Sequence, residues 1–199
     1  TGSNAVLVCH ALTGDAHVKA LTGDLDAAAA LYKQALAAQQ IAGYASSLAE
    51  IEAARGNMAE ANRYLALSHE IDAREAANGV RLDLDQALVT ADFTIPDAAL
   101  IAQARRGHND RPGVVGDDAL GWILTRAGKC TEGLEYARRS LRLGTQDALT
   151  LFHAGMAAKC AGKPIDATRY LTRALQLNPT FSVRWATAAQ ATLTELTRS

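Results

Sequence analysis

The sequence predicts an all-α protein, a right-handed solenoid of helix–turn–helix repeats closed by a C-terminal capping helix. Three observations carry the prediction: an internal period, a recurring glycine-punctuated stripe of small and large residues, and a composition built on alanine and leucine. The period is plainest between Leu120 and Pro179. A shift of 34 residues there places Gly121 on Gly155, Gly128 on Gly162 and Lys129 on Lys163. The same shift superposes Tyr136 on Tyr170, Arg139 on Arg173, Leu141 on Leu175 and Leu143 on Leu177. Self-similarity at a fixed period marks supersecondary units that bury their apolar faces only by stacking.

The stripe defines each hairpin. Segments starting at Gly23, Gly56, Gly128 and Gly162 share one pattern, in which the glycine closes a first helix because it takes a left-handed cap without a Cβ cost. A small residue follows at Ala28, Ala61, Gly133 and Ala167, then Tyr32, Leu65, Ala137 and Leu171, then Ala35, Ser68, Ser140 and Ala174. These positions share one face of a second helix, with small side chains where two helices must cross closely. Composition agrees. Apolar residues make up 49% and aromatics only 5%, so Ala and Leu dominate. Alanine has the best helix propensity and lets backbones approach.

The last repeat, Ala148 to Phe181, has Leu151, Ala154-Gly155, Ala158, Ala167, Leu171, Ala174 and Pro179 in order, and in this it resembles the tetratricopeptide repeat family. The resemblance extends over most of the chain. It implies stacked helix pairs whose first helices line a concave groove that receives a peptide or protein segment. Asn178-Pro179 is expected to stop the last second helix, since proline cannot continue one and holds its predecessor extended. Between Ser68 and Val114 the period drifts. A divergent repeat near 79–112 is expected, its first helix from Leu82 to Leu88, its second opened by Pro96-Asp97-Ala98, its tail Gly107–Gly113 a loop. Residues 12–181 then form about five repeats, and 182–199 a capping helix containing Trp185, Ala189 and Leu193.

The opening does not follow the pattern. Residues 1–11 read as a tag remnant, with Thr1-Gly2-Ser3 vector-derived, followed by the apolar run Ala5–Cys9, either a strand or a helix start. Asn4 to Val18 resembles a segment of the homoserine O-acetyltransferase family, which has the α/β-hydrolase fold and there forms a strand leading into the oxyanion-hole loop. No nucleophile elbow, and no later Asp and His in the required order, accompanies it, so no catalytic residues are expected.

Charge and cysteine content bound the remaining classes. Twenty basic and 21 acidic residues leave a net charge of −1, which argues against nucleic-acid or membrane-surface binding by bulk charge. No apolar window approaches the length of a membrane span. The cytoplasm is the favoured compartment, with the periplasm an alternative if a signal peptide has been removed. Cys9, Cys130 and Cys160 are odd in number and widely spaced, which predicts buried thiols rather than a disulfide or zinc site, and no metal or cofactor is expected. Gly121 and Gly128-Lys129 fit a helix-ending turn better than a phosphate loop, because no strand precedes them and Cys130 stands where Ser or Thr would be. Asp117-Asp118 reads as a helix N-cap or first-turn acid.

Binding is therefore the expected function, with self-association into a homo-oligomer through the N-terminal apolar run as the alternative. The repeat register sets Asp118, Trp122, Thr125 and Arg126 on the groove side of one first helix. It sets Phe152, Met156, Lys159 and Cys160 there in the next. Trp, Phe, Met and Arg are enriched at binding hot spots. Trp122 and Phe152 can equally pack between neighbouring first helices. Thr13, His17, Ser46 and Glu50 occupy the matching positions upstream, so the Lys/Asn carboxylate clamp of some tetratricopeptide domains is missing.

Overall fold

The structure, a computed structural model, describes residues 2–81 and 83–198, with side chains from Val6 onward. Thr1, expected to be vector-derived, and Leu82, expected to open a helix, lie outside the described residues. The described residues form eleven α-helices and no strand. They are α1 (Gly2–Leu21), α2 (Leu25–Ala38), α3 (Ala42–Ala54), α4 (Met58–Ala77), α5 (Asp83–Phe93) and α6 (Ala98–Asp110). There follow α7 (Val114–Arg126), α8 (Cys130–Ser140), α9 (Ala148–Cys160), α10 (Pro164–Leu177) and α11 (Ala186–Arg198). None is long and apolar enough to cross a membrane.

Two compact units contain these elements, Thr1–Val80 with Ser182–Arg184, and Arg81–Phe181 with Trp185–Ser199. In the first unit α1 pairs with α2 and α3 with α4. In the second α5 pairs with α6, α7 with α8 and α9 with α10, and α11 packs on α10. Each of the four hairpins read from the sequence turns at its glycine, since Gly23, Gly56, Gly128 and Gly162 all have positive φ. The bonds around Gly128 show why. Lys129 N–H donates to the Leu124 carbonyl at 2.9 Å and Gly128 N–H to Thr125 at 3.0 Å, a Schellman cap that satisfies the last carbonyls of α7. The same pair of bonds recurs after α1, α3 and α9.

All twelve stripe positions of the second helices are buried. Their partners on the first helices sit seven residues before each glycine: Ala16, Ala49, Gly121 and Gly155, also all buried. In α7/α8 the crossing is glycine on glycine. A Cβ on Gly121 would lie 2.9 Å from Ala137 N and 3.1 Å from Gly133 O, so only hydrogen fits. In α9/α10 a Cβ on Gly155 would meet Leu171 Cγ at 2.7 Å.

The divergent repeat is α5/α6. Asp97 caps α6 by accepting from Leu100 N–H at 2.8 Å, and Pro96 sits just outside the helix. The loop expected over Gly107–Gly113 is shorter than that, because α6 continues through Asp110. Gly107 serves a close crossing instead of a turn, since a Cβ there would come 2.6 Å from Leu84 N. Of the two readings of Ala5–Cys9, the structure has the helix, within α1. Asn178 is extended before Pro179 and ends α10. The C-terminal helix starts at Ala186, with Trp185 accepting its first backbone bond, from Ala189 N–H at 2.9 Å.

One sequence expectation is overturned. Cys130 and Cys160 are disulfide-bonded, with Cα atoms 5.1 Å apart, inside the usual disulfide range. Cys130 lies two residues after one hairpin glycine and Cys160 two before the next, so stacking sets the start of α8 beside the end of α9. Only the three-dimensional register makes them neighbours. Cys9 is a free, buried thiol, as expected.

The first unit holds a buried carboxylate that the sequence did not mark. Glu52 is 2% exposed, with Arg55 donating to both its oxygens at 3.0 and 3.1 Å. Asn57 donates to it at 2.9 Å, and Lys33 lies 3.6 Å away. Burial alone would raise its pKa, but the Asn57 hydrogen bond and the Arg55 and Lys33 charges outweigh that and hold it below the usual value. Arg55 also reaches Asp26 on α2, which ties α3 to the preceding hairpin.

Two predictions follow from these features. A group whose folded pKa is depressed stabilises fully above its unfolded pKa and loses that contribution as pH falls through the folded value. Glu52→Gln should therefore cost about 2 kcal/mol at neutral pH, with the gap to wild type narrowing below about pH 4. Chemical denaturation of both proteins across pH checks this, and a pH-independent gap is the opposing result. Opening the disulfide, whose cysteines are 30 residues apart, should cost about 3–4 kcal/mol on the chain-entropy account. Denaturation with and without reductant measures it, alongside a thiol titration in which only Cys9 reacts, and only after unfolding.

Candidate functional site: the first-helix face of the second unit

The candidate site is built on α7 and α9. Trp122 projects from the middle of α7, 2% exposed, with its indole N–H donating to Asp92 Oδ1 of α5 at 2.8 Å. One turn later Arg126 sets its guanidinium beside two touching indoles, 5.9 Å from the Trp122 ring centre and 5.5 Å from that of Trp185, the rings themselves 5.4 Å apart. Its Nε–H donates to the Ala91 carbonyl at 2.9 Å, so the head group is fixed from three sides. Arg126 stays half-buried.

Phe152 of α9 is fully buried. Its ring centre lies 5.5 Å from Trp122, 5.5 Å from Phe181 and 5.7 Å from Trp185. The next residue, His153, stacks on Trp122 at 4.5 Å with planes 16° apart. These five rings form one packed cluster, joined by Met156, Leu193 and Leu196. Offset and edge-to-face pairs at such distances each add about 0.5–1.5 kcal/mol beyond area burial.

Two adjacent aspartates tie α7 to its neighbours. Asp117, in the first turn of α7 as expected, is buried and accepts from His108 Nε2 at 2.8 Å and from Arg142 at 2.6 Å. Asp118 points the other way, its Oδ2 accepting from His153 Nδ1 at 3.0 Å while its Oδ1 is buried with no hydrogen-bond partner. A histidine from the preceding helix and another from the following first helix are thus held by consecutive residues. Both pairs make α7 a fixed platform.

The expected site residues therefore part company. Trp122 and Phe152 are core residues under Phe181 and Trp185. Thr125 faces α8, where a Cβ on Gly133 would collide with its hydroxyl, and it donates to the Gly121 carbonyl at 2.8 Å. Asp118 holds His153. Arg126, Met156 and Lys159 remain half-buried, and Lys159 bridges to Glu195 of α11 at 2.6 Å. Cys160 is in the disulfide. The sequence placed Trp185 on the capping helix but gave no sign that it would return to the α7/α9 face. A spare tryptophan near a terminal helix was the one available signal.

A scan with protein-family models finds no match for this chain, and comparison with curated proteins finds none. Among solved structures, the chain is similar to the tetratricopeptide domain of P58(IPK), at 12% identity and a TM-score of 0.46. That alignment covers 96% of this chain and 55% of the other, so the chain spans about half of its length. It is also similar to YrrB, described as a tetratricopeptide protein with an unusual peptide-binding site, at 16% identity, a TM-score of 0.46 and 90% coverage of both chains. By its own 34-residue period, helix pairing and glycine turns, the chain is an all-α protein of repeated helix–turn–helix hairpins.

Proposed function

We propose that the chain is a non-catalytic interaction scaffold that binds a peptide or protein segment on the α7/α9 face of its second unit. The observation that carries this reading is the setting of Arg126, half-exposed and held against two touching indoles and the Ala91 carbonyl. An arginine fixed in this way loses little side-chain entropy on binding, and its planar head suits a carboxylate or backbone carbonyl. Lys159 and Met156 extend the surface along α9, Lys159 adding a second cation beside the Glu195 carboxylate. Trp122 and Phe152 contribute from beneath by holding Arg126, Met156 and Trp185 in place. Asp118 and Thr125 act in the same indirect way, one through His153 and the other through the α7/α8 crossing.

The ligand chemistry that fits is an acidic or carbonyl-rich segment with an apolar side chain for the Met156 and Trp185 surfaces. Panning a random peptide library displayed on phage against the whole chain tests it. Enriched peptides should carry an acidic residue beside an apolar one, and Arg126→Glu should weaken their binding about tenfold or more while leaving the helical spectrum intact. Enrichment of peptides indifferent to Arg126→Glu and to Lys159→Glu would remove the face from consideration.

A further inference from the structure

The Cys130–Cys160 disulfide has two unlike ends. Cys130 is the first residue of α8 and Cys160 the last residue of α9. Cys160 is exposed, whereas Cys130 is half-buried. A thiol opens a disulfide when its thiolate attacks one sulfur along the S–S axis and the other sulfur leaves as a thiolate. Access decides which sulfur is attacked, together with how well the surroundings stabilise the leaving thiolate.

Both criteria choose the same direction. Access favours attack on Cys160. Charge favours Cys130 as the leaving group, because a sulfur at the start of a helix lies at the positive end of the dipole, beside amide N–H groups that no helical carbonyl uses. In α8 no side chain caps these amides, since the N-cap residue is Lys129, whose ammonium adds a positive charge. Glu132, the acid of the first turn, is bonded to Arg105 at 2.6 Å, which offsets its charge. The Gly128 carbonyl, 3.4 Å from Cys130 Sγ, opposes these groups with a single dipole. Cys160 stands at the negative end of α9, with the Thr125 carbonyl 3.9 Å from its sulfur, and is the poorer leaving group.

The surroundings also select the thiol. Lys129 precedes Cys130, and Lys163 follows Cys160 by three residues in the α9/α10 turn; both are exposed. Lys159, the other nearby cation, is already bonded to Glu195 at 2.6 Å. Two solvated ammonium groups beside the bond attract a thiol that carries carboxylates and repel one that carries an amine. We infer that this disulfide is a site of thiol exchange, at which the thiolate of a small anionic thiol attacks Cys160 Sγ, forms a mixed disulfide there and expels Cys130 as a thiolate. One S–S bond forms as one breaks, and one thiolate enters as one leaves, so electrons and protons balance without a further oxidant. The step unties α8 from α9. It is reversed when Cys130 attacks Cys160 Sγ and the small thiol departs.

Glutathione, as the anionic thiol, and cysteamine, as the cationic one, test this on the whole oxidised chain, with circular dichroism to confirm that it stays folded. Samples are quenched with N-ethylmaleimide at early times and their peptides mapped by mass spectrometry. Glutathione should appear on Cys160 and maleimide on Cys130, in about tenfold or greater excess over the reverse pair. The ratio of the glutathione to the cysteamine rate, at equal thiolate concentration, should fall about threefold or more in about 1 M salt and in the Lys129→Gln, Lys163→Gln double variant. An intact bond, no adduct on either cysteine, or adducts on Cys130 as often as on Cys160 overturns the exchange site. A rate ratio that ignores both salt and the double variant overturns the choice of an anionic thiol.

Discussion

The close crossing of two helices within each hairpin is the constraint on which the rest of the structure depends. A helix pair can turn on a single glycine only if its backbones approach over the first two turns, and that approach requires small residues on both sides. The chain buries Ala16, Ala28, Ala49 and Ala61 on the paired helices of the first unit; in the second it sets Gly121 on Gly133, and Gly155 leaves room for Leu171. Glycine in mid-helix lowers propensity by about 1 kcal/mol, so α7 and α8 are helices held by packing more than by local preference. The large side chains that cannot fit the crossing are displaced outward. That is why Leu120, Ile123 and Leu124 pack toward α5 and α6 while Trp122 points to α9 and Trp185.

From the crossing follows the character of the candidate site. With α7 and α9 fixed by their partners, Trp122, Phe152 and His153 meet in one plane of contact, and Phe181 and Trp185 close over them. The side chains left half-exposed at the margin, Arg126, Met156 and Lys159, are oriented by what lies beneath. Asp117 and Asp118 contribute position: each pins a histidine of a different helix, and neither stands at a helix cap. The Cys130–Cys160 bond adds a covalent tie between the same two hairpins at the opposite end of α9 from Asp147.

How legible this was in the sequence depended on range. Features set within one hairpin were readable: the glycine turns, the twelve stripe positions and the stop at Asn178 all depend on residues a few places apart. Features set between hairpins were not. Cys130 and Cys160 look unrelated until stacking aligns two turns, and Gly107 looks like a loop residue until Leu84 is brought against it. Trp122 and Phe152 stand on α7 and α9, and their rings meet. Their burial came from Phe181 and Trp185, which follow the last repeat and obey no period. Glu52 was silent because its partners, Arg55 and Asn57, look like ordinary surface residues at a helix end.

The most direct test of the account is the unfolding free energy of the Gly121→Ala, Gly133→Ala double variant, measured by chemical denaturation. Helix propensity alone would raise stability by about 1 kcal/mol per substitution. If the close crossing governs the hairpin, overpacking wins and stability falls by about 1–3 kcal/mol, with loss of the cooperative transition of the second unit. A variant as stable as wild type, or more so, would contradict the claim that backbone approach at these two glycines holds α7 and α8 together.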